Sequence, residues 1–378
     1  MVISQACFPA GIVFSSQAQI DAFRSAYPNC ASIEGSVTIL GEDIHNLYGL
    51  SGILEIGGNL LIGDDSVWSG NPSGSVASEM NQSLKTLHGL DSLVTIGGDL
   101  LILENDSLMD LSGLDALQSI GGELSIFDNK SLSSIEGLNN LSSLGGALNF
   151  ARNTALHSLH GLENLTEIPG NLLIMGQLET LEGLNQVAHI GGDCLIAGNP
   201  FLETLAGLEN LTTIEGTLLL GAVYIGGNEV LESLDGIEKL SHIGGDLIIA
   251  HNPNLSFCAI SGICALLDRS SGIITIYGNA PGCNSEQEVN QSCLVLSTES
   301  VNISNVTFYP NPVSGNLYVE NSSGHPIDQI ILLDPFGKVI SQMKAHFDHI
   351  DVSGLAPGLY YVMLTTGQKL VTQKIFVE

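Results

Sequence analysis

The sequence predicts a mainly β protein: a long repeat solenoid followed by a small antiparallel β-sandwich. Three observations carry this. An Ile-Gly-Gly-type block begins at Ile33, Ile56, Ile96, Ile120, Leu144, Ile168, Ile190, Ile214 and Ile243, in steps of 23, 40, 24, 24, 24, 22, 24 and 29 residues. Repetition at such a period is the mark of stacked structural units. Within a unit, Leu87, Leu90, Leu93 and Ile96 recur every third residue, and Leu100 and Ile102 then alternate as in a strand. Beyond residue 306 the pattern changes to longer alternating runs bounded by Pro-Phe-Gly and Ala-Pro-Gly turns.

The physics of one unit explains the need for neighbours. A period of three fits neither an α-helix nor a strand. It suits a chain that turns a corner every few residues and points one apolar side chain inward each time. The glycine pair is read as the corner, where backbone angles that a Cβ would forbid are allowed. One coil cannot bury its own leucines, whereas a stack makes a continuous core. Asn105, Asn129, Asn153, Asn199 and Asn252 each lie nine residues past their block's start, as does Asn279 if a tenth block begins at Ser270. Buried in a stack, these side chains are expected to satisfy turn backbone groups coil after coil.

Residues 32–279 resemble the leucine-rich receptor L-domain repeats, and the resemblance rests on eight or nine copies of the unit. It implies a right-handed leucine-rich β-solenoid, of the kind found in receptor ectodomains and bacterial surface proteins. Ten strands at about 4.8 Å would make a rod on the order of 45 Å long.

Charge narrows the function classes. The chain has 378 residues, 44 of them Gly, and a formal net charge of −30. Residues 1–306 hold 34 acidic against 6 basic side chains, and residues 307–378 hold 6 against 4. The solenoid is the acidic part, so a phosphate backbone is repelled and nucleic acid is excluded as a partner. No run of 18 apolar residues marks a transmembrane segment. The opening MVISQA is too short, and lacks the basic start, for a secretory signal. Six of the seven cysteines lie outside the repeats, which points to an oxidising compartment.

Taken in order, residues 1–31 form an N-terminal cap. Ser16, Gln19, Ile20 and Phe23 mark a capped short helix there. A Cys7–Cys30 disulfide is expected to staple the cap, because zinc would need a different ligand spacing. Residues 32–256 are the solenoid repeats. Two insertions interrupt them directly after a strand, one carrying Trp68, the chain's single tryptophan, and one carrying Tyr224. Both are expected to project from one edge of the stack, where such insertions often line a binding face. Cys194 stands at an inward leucine position and reads as a buried free thiol. Residues 257–295 read as a disulfide-bonded C-terminal cap with a short helix and a last strand. Its four cysteines allow three pairings, of which Cys258–Cys283 with Cys264–Cys293 is favoured.

Residues 296–306 are polar and read as a linker. Residues 307–378 then resemble the C-terminal sorting domain of the type IX secretion system. The matching residues are Tyr309-Pro310-Asn311-Pro312, Gly337-Lys338, Gly358-Leu359-Tyr360 and the Lys369…Lys374 strand. This resemblance implies the type IX machinery as a partner. It also implies export to the outside or outer surface of a Gram-negative cell, followed by removal of the domain.

The sequence holds no P-loop, GxSxG, HExxH or GxGxxG motif in its required context. His157 and His160 fall at a repeat corner, and His346 and His349 in the sorting domain, beside Asp348 and Asp351, read as solvated. Asp64-Asp65 are too few carboxylates for calcium. No cofactor or metal is expected, and no enzyme activity.

What remains is surface. Strand parity sends Leu100 and Ile102 inward and Asp99, Leu101 and Leu103 outward. Along the stack the middle outward column reads Leu61, Leu101, Ser125, Asn149, Leu173, Leu195, Leu219 and Ile248. Its neighbour includes Leu103, Phe127 and Met175. A contiguous apolar strip of this kind usually marks an interface. The leading expectation is an exported, non-enzymatic protein that binds a protein or glycan along this face, with Trp68 and Tyr224 at its rim. The alternatives are a self-associating spacer and a carbohydrate-active enzyme built on paired carboxylates such as Asp99 and Glu123.

Overall fold

The computed structural model describes residues 5–64, 81–222, 226–267, 272–296, 306–321, 326–334, 338–344, 349–366 and 369–378. Its main feature is a parallel sheet of eleven strands in strict sequence order. The strands are Ile12–Phe14, Val37–Ile39, Leu60–Gly63, Leu100–Leu103, Leu124–Phe127, Leu148–Ala151, Leu172–Met175, Cys194–Ile196, Leu218–Leu220, Leu247–Ala250 and Ile274–Tyr277. Register is preserved from coil to coil: Leu100 pairs with Leu124, Leu124 with Leu148 and Leu148 with Leu172. The first strand lies inside the segment read from sequence as a cap, so the cap itself starts the stack.

A second side of the solenoid is lined by short strands: Gln5–Cys7, Cys30–Ile33 and then two-residue strands that end at the first residue of each block. They form one parallel sheet through Ser143–Leu144 and another from Glu167–Ile168 onward. The break between them has a covalent cause. Gly145 donates its N–H to the Ile120 carbonyl at 2.9 Å, and Gly191 does so to Ile168 at 2.8 Å. At the same point of the intervening coil stands Pro169, which has no N–H to give Leu144.

The third side explains the period of three. Leu90 donates to the Leu87 carbonyl at 3.1 Å, and Leu93 to Leu90 at 2.8 Å; the next coil repeats this at Leu114 and Leu117. Successive three-residue turns return one side chain per turn to the core, and Leu87, Leu90, Leu93 and Ile96 are at most 1 % exposed. Glycine roles differ from the sequence reading. The Gly97-Gly98 pair is not at positive φ. It is glycine because a Cβ on Gly97 would collide with the Gly57 carbonyl of the preceding coil. The left-handed residue is the glycine of the leucine run, such as Gly113 at φ +109°, whose Cβ would also strike the coil below.

Both ends are closed. Helix α1 (Gln17–Ala26) buries Ile20 and Phe23 over the first coils, and Cys7 is bonded to Cys30. Gln19 does not complete the expected capping box with Ser16; its Oε1 accepts the Ser15 N–H at 2.7 Å instead. At the other end lie α2 (Ser261–Leu267) and α3 (Glu286–Leu296), with Cys258–Cys283 and Cys264–Cys293 bonded as favoured from sequence. Helix α3 was not foreseen, although Ser285 and Glu288 spell its cap: Glu288 N–H donates to Ser285 Oγ at 3.2 Å. Cys194 is buried and unbonded, and burial pushes its thiol pKa up to about 12.

The C-terminal unit has its own core, including Phe308, Leu317, Ile330, Val362 and Ile375. Three strands form one antiparallel sheet, and four form a second in which Gly358–Thr366 pairs with Lys369–Val377.

Candidate binding face

The inward columns are as the sequence predicts. Leu60, Leu100, Leu124, Leu148, Leu172, Cys194, Leu218 and Leu247 are at most 2 % exposed, as are their partners from Ile62 to Ile249. Strand parity therefore turns Leu61, Leu101, Leu173, Leu195, Leu219 and Ile248 to the outer face, where each is half-buried. Val13 extends the column at its first strand and is 61 % exposed.

Two features of this face differ from expectation. Ser125 and Asn149 do not stand in the open; they are 0 % and 8 % exposed. They are short side chains held together between Leu101 and Leu173 in the ladder, and they bond to one another. Asn149 Nδ2 donates to Ser125 Oγ at 2.9 Å, and Ser125 Oγ donates to Glu123 Oε1 at 3.1 Å. The apolar column is thus divided into a pair, Leu61 and Leu101, and a row of four, Leu173 to Ile248. The adjacent column is the larger correction. Leu103 is 1 % exposed, Ala151 3 %, Ala197 0 % and Ala250 1 %; Phe127 and Met175 keep partial exposure. These residues stand at or just past the strand ends, and after Leu103, Phe127, Ala151 and Ala250 the next residue turns into the left-handed region: Glu104, Asp128, Arg152 and His251 have φ from 54° to 59°. A side chain in the angle of that turn is tucked under it and does not face out.

Polar ladders fix both margins of the sheet. After the strand, Asn81, Asn105, Asn129, Asn153, Asn199, Asn228, Asn252 and Asn279 are buried. Asn129 Oδ1 accepts the Asn105 N–H at 3.0 Å, while its Nδ2 donates to the Ile102 carbonyl one coil back at 2.9 Å. The pattern recurs through Asn279, whose Nδ2 donates to Ile249 at 2.8 Å. Asn81 and Asn228 escaped the sequence reading because the insertions displace them from the nine-residue offset. The signal was present in spacing from the other side, since each lies 24 residues before the next ladder asparagine. Before the strand runs a second ladder. Asn59 accepts the Asp99 N–H at 2.9 Å, Asp99 the Glu123 N–H at 2.9 Å, Asp193 the Thr217 N–H at 2.7 Å and Asp246 the Ile273 N–H at 2.8 Å. The acidic column is therefore built into the backbone, and Asp99 also accepts from Asn59 Nδ2 at 3.1 Å. Glu123 stands apart from it. Burial holds its pKa above the usual carboxylate range, the Ser125 hydroxyl opposes this and the Asp99 charge adds to it.

Both insertions leave from one margin, after Gly63 and after Gly221, which occupy the same strand-end column. Trp68, Asp65 and Tyr224 lie outside the described residues, as do Ser270, Gly337, His346 and Asp348. His157 pairs with Glu179 at 3.4 Å, and His160 with Glu163 at 3.0 Å and Glu182 at 3.5 Å, as half-exposed corner contacts. In the C-terminal unit the motif residues have visible structural roles. Asn311 Oδ1 accepts the Phe376 N–H at 2.8 Å and its Nδ2 donates to the Lys374 carbonyl at 2.9 Å, tying the Tyr309-Pro310-Asn311-Pro312 turn to the last strand. Tyr360 donates its hydroxyl to the Ala356 carbonyl at 2.9 Å. Gly358 opens one long strand and Lys369 the other.

Comparison with known families agrees with this geometry. Residues 164–264 match the Receptor L domain, and residues 307–378 match the Secretion system C-terminal sorting domain. No curated protein matches the chain. The chain thus joins a receptor-L-type β-solenoid to a sorting domain, which gives it a link to type IX secretion. That marks an exported or surface-displayed protein with a binding or surface role. Among the described residues, no helix is long and apolar enough to cross a membrane, and no three His, Cys, Asp or Glu side chains converge on a metal position.

Proposed function

We propose that this is a non-enzymatic protein, exported by the type IX system of a Gram-negative bacterium, which binds a macromolecular partner along the outward face of its sheet. The supporting observation is the row Leu173, Leu195, Leu219 and Ile248. These residues are in register, half-buried and repeated over four coils, about 14 Å at one strand spacing per coil. An apolar row with Asp193 and Asp246 along one margin and buried asparagines along the other suits a protein or polysaccharide chain laid along the stack. The built-in carboxylate ladder supports the non-enzymatic reading, because Asp99 is occupied in joining coils. A photo-crosslinker in place of Leu195 should capture a partner on the cell or growth surface, while one in place of Met109, 53 % exposed on another side, should not. Capture of a second copy alone would favour a self-associating spacer, and equal capture from both positions would end the proposal.

A further inference from the structure

One coil is shorter than its neighbours. The block at Ile190 follows the one at Ile168 after 22 residues, where 24 is the common step. Gly176-Gln177 replace a four-residue turn, Arg152-Asn153-Thr154-Ala155 in the coil before and Gly198-Asn199-Pro200-Phe201 in the coil after. The ladder asparagine is lost with that turn, and the Gly176 N–H reaches across to Asn199 Oδ1 at 3.1 Å. The missing turn leaves a depression of about 340 Å³ in the margin, lined by Asp128, Lys130, Arg152, Thr154, Met175 and Gln177.

Two cations stand at its rim, beside the carboxylates of Asp106, Asp128 and Glu104. Lys130 and Arg152 are two of the six basic residues among residues 1–306. Lys130 Nζ lies 2.8 Å from Asp106, and Arg152 Nη2 lies 2.9 Å from Asp128. The cations stand outermost: their side chains are 59 % and 60 % exposed, against 30 % and 15 % for the paired carboxylates. Arg152 also lies 5.3 Å over the Phe127 ring, a cation–π contact that adds to the hold of Asp128 on its guanidinium. Its remaining N–H donors are free to meet an anion. Thr154 and Gln177 offer hydroxyl and amide groups, and Met175 an apolar wall. The depression sits on the margin from which both insertions leave, four coils after the first and two before the second, roughly 19 and 10 Å.

We propose that this depression is a subsite for a glycan unit bearing a single carboxylate, a uronic acid. An outermost cation pair selects an anion. Hydroxyl-rich rings match the polar lining, and the volume falls in the range of small-ligand sites. This reading does not depend on the outward leucine row. The test is calorimetry on the full chain with three probes: tetragalacturonate, neutral galactotetraose and a tetrapeptide with a free C-terminal carboxylate. Tetragalacturonate should bind saturably, at least tenfold tighter than either other probe, and more weakly as salt rises. Arg152→Asn, an exchange that tolerates φ +59°, and Lys130→Gln should each weaken it at least tenfold without lowering Tm. Met109→Ser, on another side of the solenoid, should leave it unchanged. Equal binding of the neutral oligomer, tighter binding of the peptide, indifference to both substitutions, or no binding of any probe would overturn the assignment.

Discussion

Replacing Asn129 by alanine tests the coil-to-coil ladder directly. Asn129 is 0 % exposed. Its side chain accepts the Asn105 N–H at 3.0 Å and donates to the Ile102 carbonyl at 2.9 Å. Other losses are softened. The Phe127 carbonyl keeps the Glu104 N–H, and Asn153 Oδ1 keeps the Asn129 N–H. The orphaned Asn105 N–H alone costs about 1–3 kcal/mol, and the weakened Ile102 carbonyl brings the expected loss to about 4 kcal/mol. At roughly 2 °C or more per kcal/mol for a unit of this size, Tm should fall by about 8 °C. Asn254→Ala is the control. Its Nδ2 also reaches a carbonyl of the preceding coil, Glu229 at 2.8 Å, but in solvent, and should cost about 0.5 kcal/mol or less. Urea titration followed by far-ultraviolet circular dichroism reads both variants. An Asn129→Ala loss within about 1 kcal/mol of the control would refute the view that buried amide ladders hold the coils in register.

Four further outcomes are expected. Leu172→Asp should unfold several coils by burying an unpaired charge, at a cost of about 3 kcal/mol or more, whereas the outward Leu173→Asp should cost about 1 kcal/mol or less; thermal melts of the pair decide the register. Thiol titration should find one reactive thiol after denaturation and none at pH 8 in the folded chain, since burial raises the Cys194 pKa to about 12. Because burial raises the Glu123 pKa in the fold, its charge opposes folding once pH exceeds the ordinary carboxylate range. Glu123→Gln should therefore raise stability at pH 7, by about half a kcal/mol at most, and leave it unchanged near pH 3, as urea midpoints at the two values will read. Deleting residues 307–378 should leave the solenoid folded but undelivered to the surface, as fractionation will show.

The repeat and its register were legible because each rests on spacing, whereas the four C-terminal cysteines left three pairings open and only the structure decides among them. A core that must be apolar in every coil leaves one choice of parity, and polar Ser125 and Asn149 excluded the other. Less legible were features set by how coils touch. Parity marks Leu103 as outward, but parity describes a straight strand, and Leu103 lies where the strand turns. Asp99 reads as a surface carboxylate because nothing in sequence shows that its acceptor faces the amide of a residue 24 positions later. Asn81 and Asn228 were hidden by insertions that shift them along the chain. The shortened coil was visible as a 22-residue step, yet its consequence, a depression flanked by Lys130 and Arg152, exists only once the neighbouring turns stand on either side.

If the exported solenoid binds through its outward leucine row, that row is covered wherever the partner is present. Hydroxyl-radical footprinting of the protein displayed on producing cells, against the purified protein, measures this most directly. Leu173, Leu195, Leu219 and Ile248 should be protected on cells and reactive when purified, with Val13 and Phe201 reactive in both. Equal reactivity of the row in the two states, or protection confined to other faces, would contradict the account.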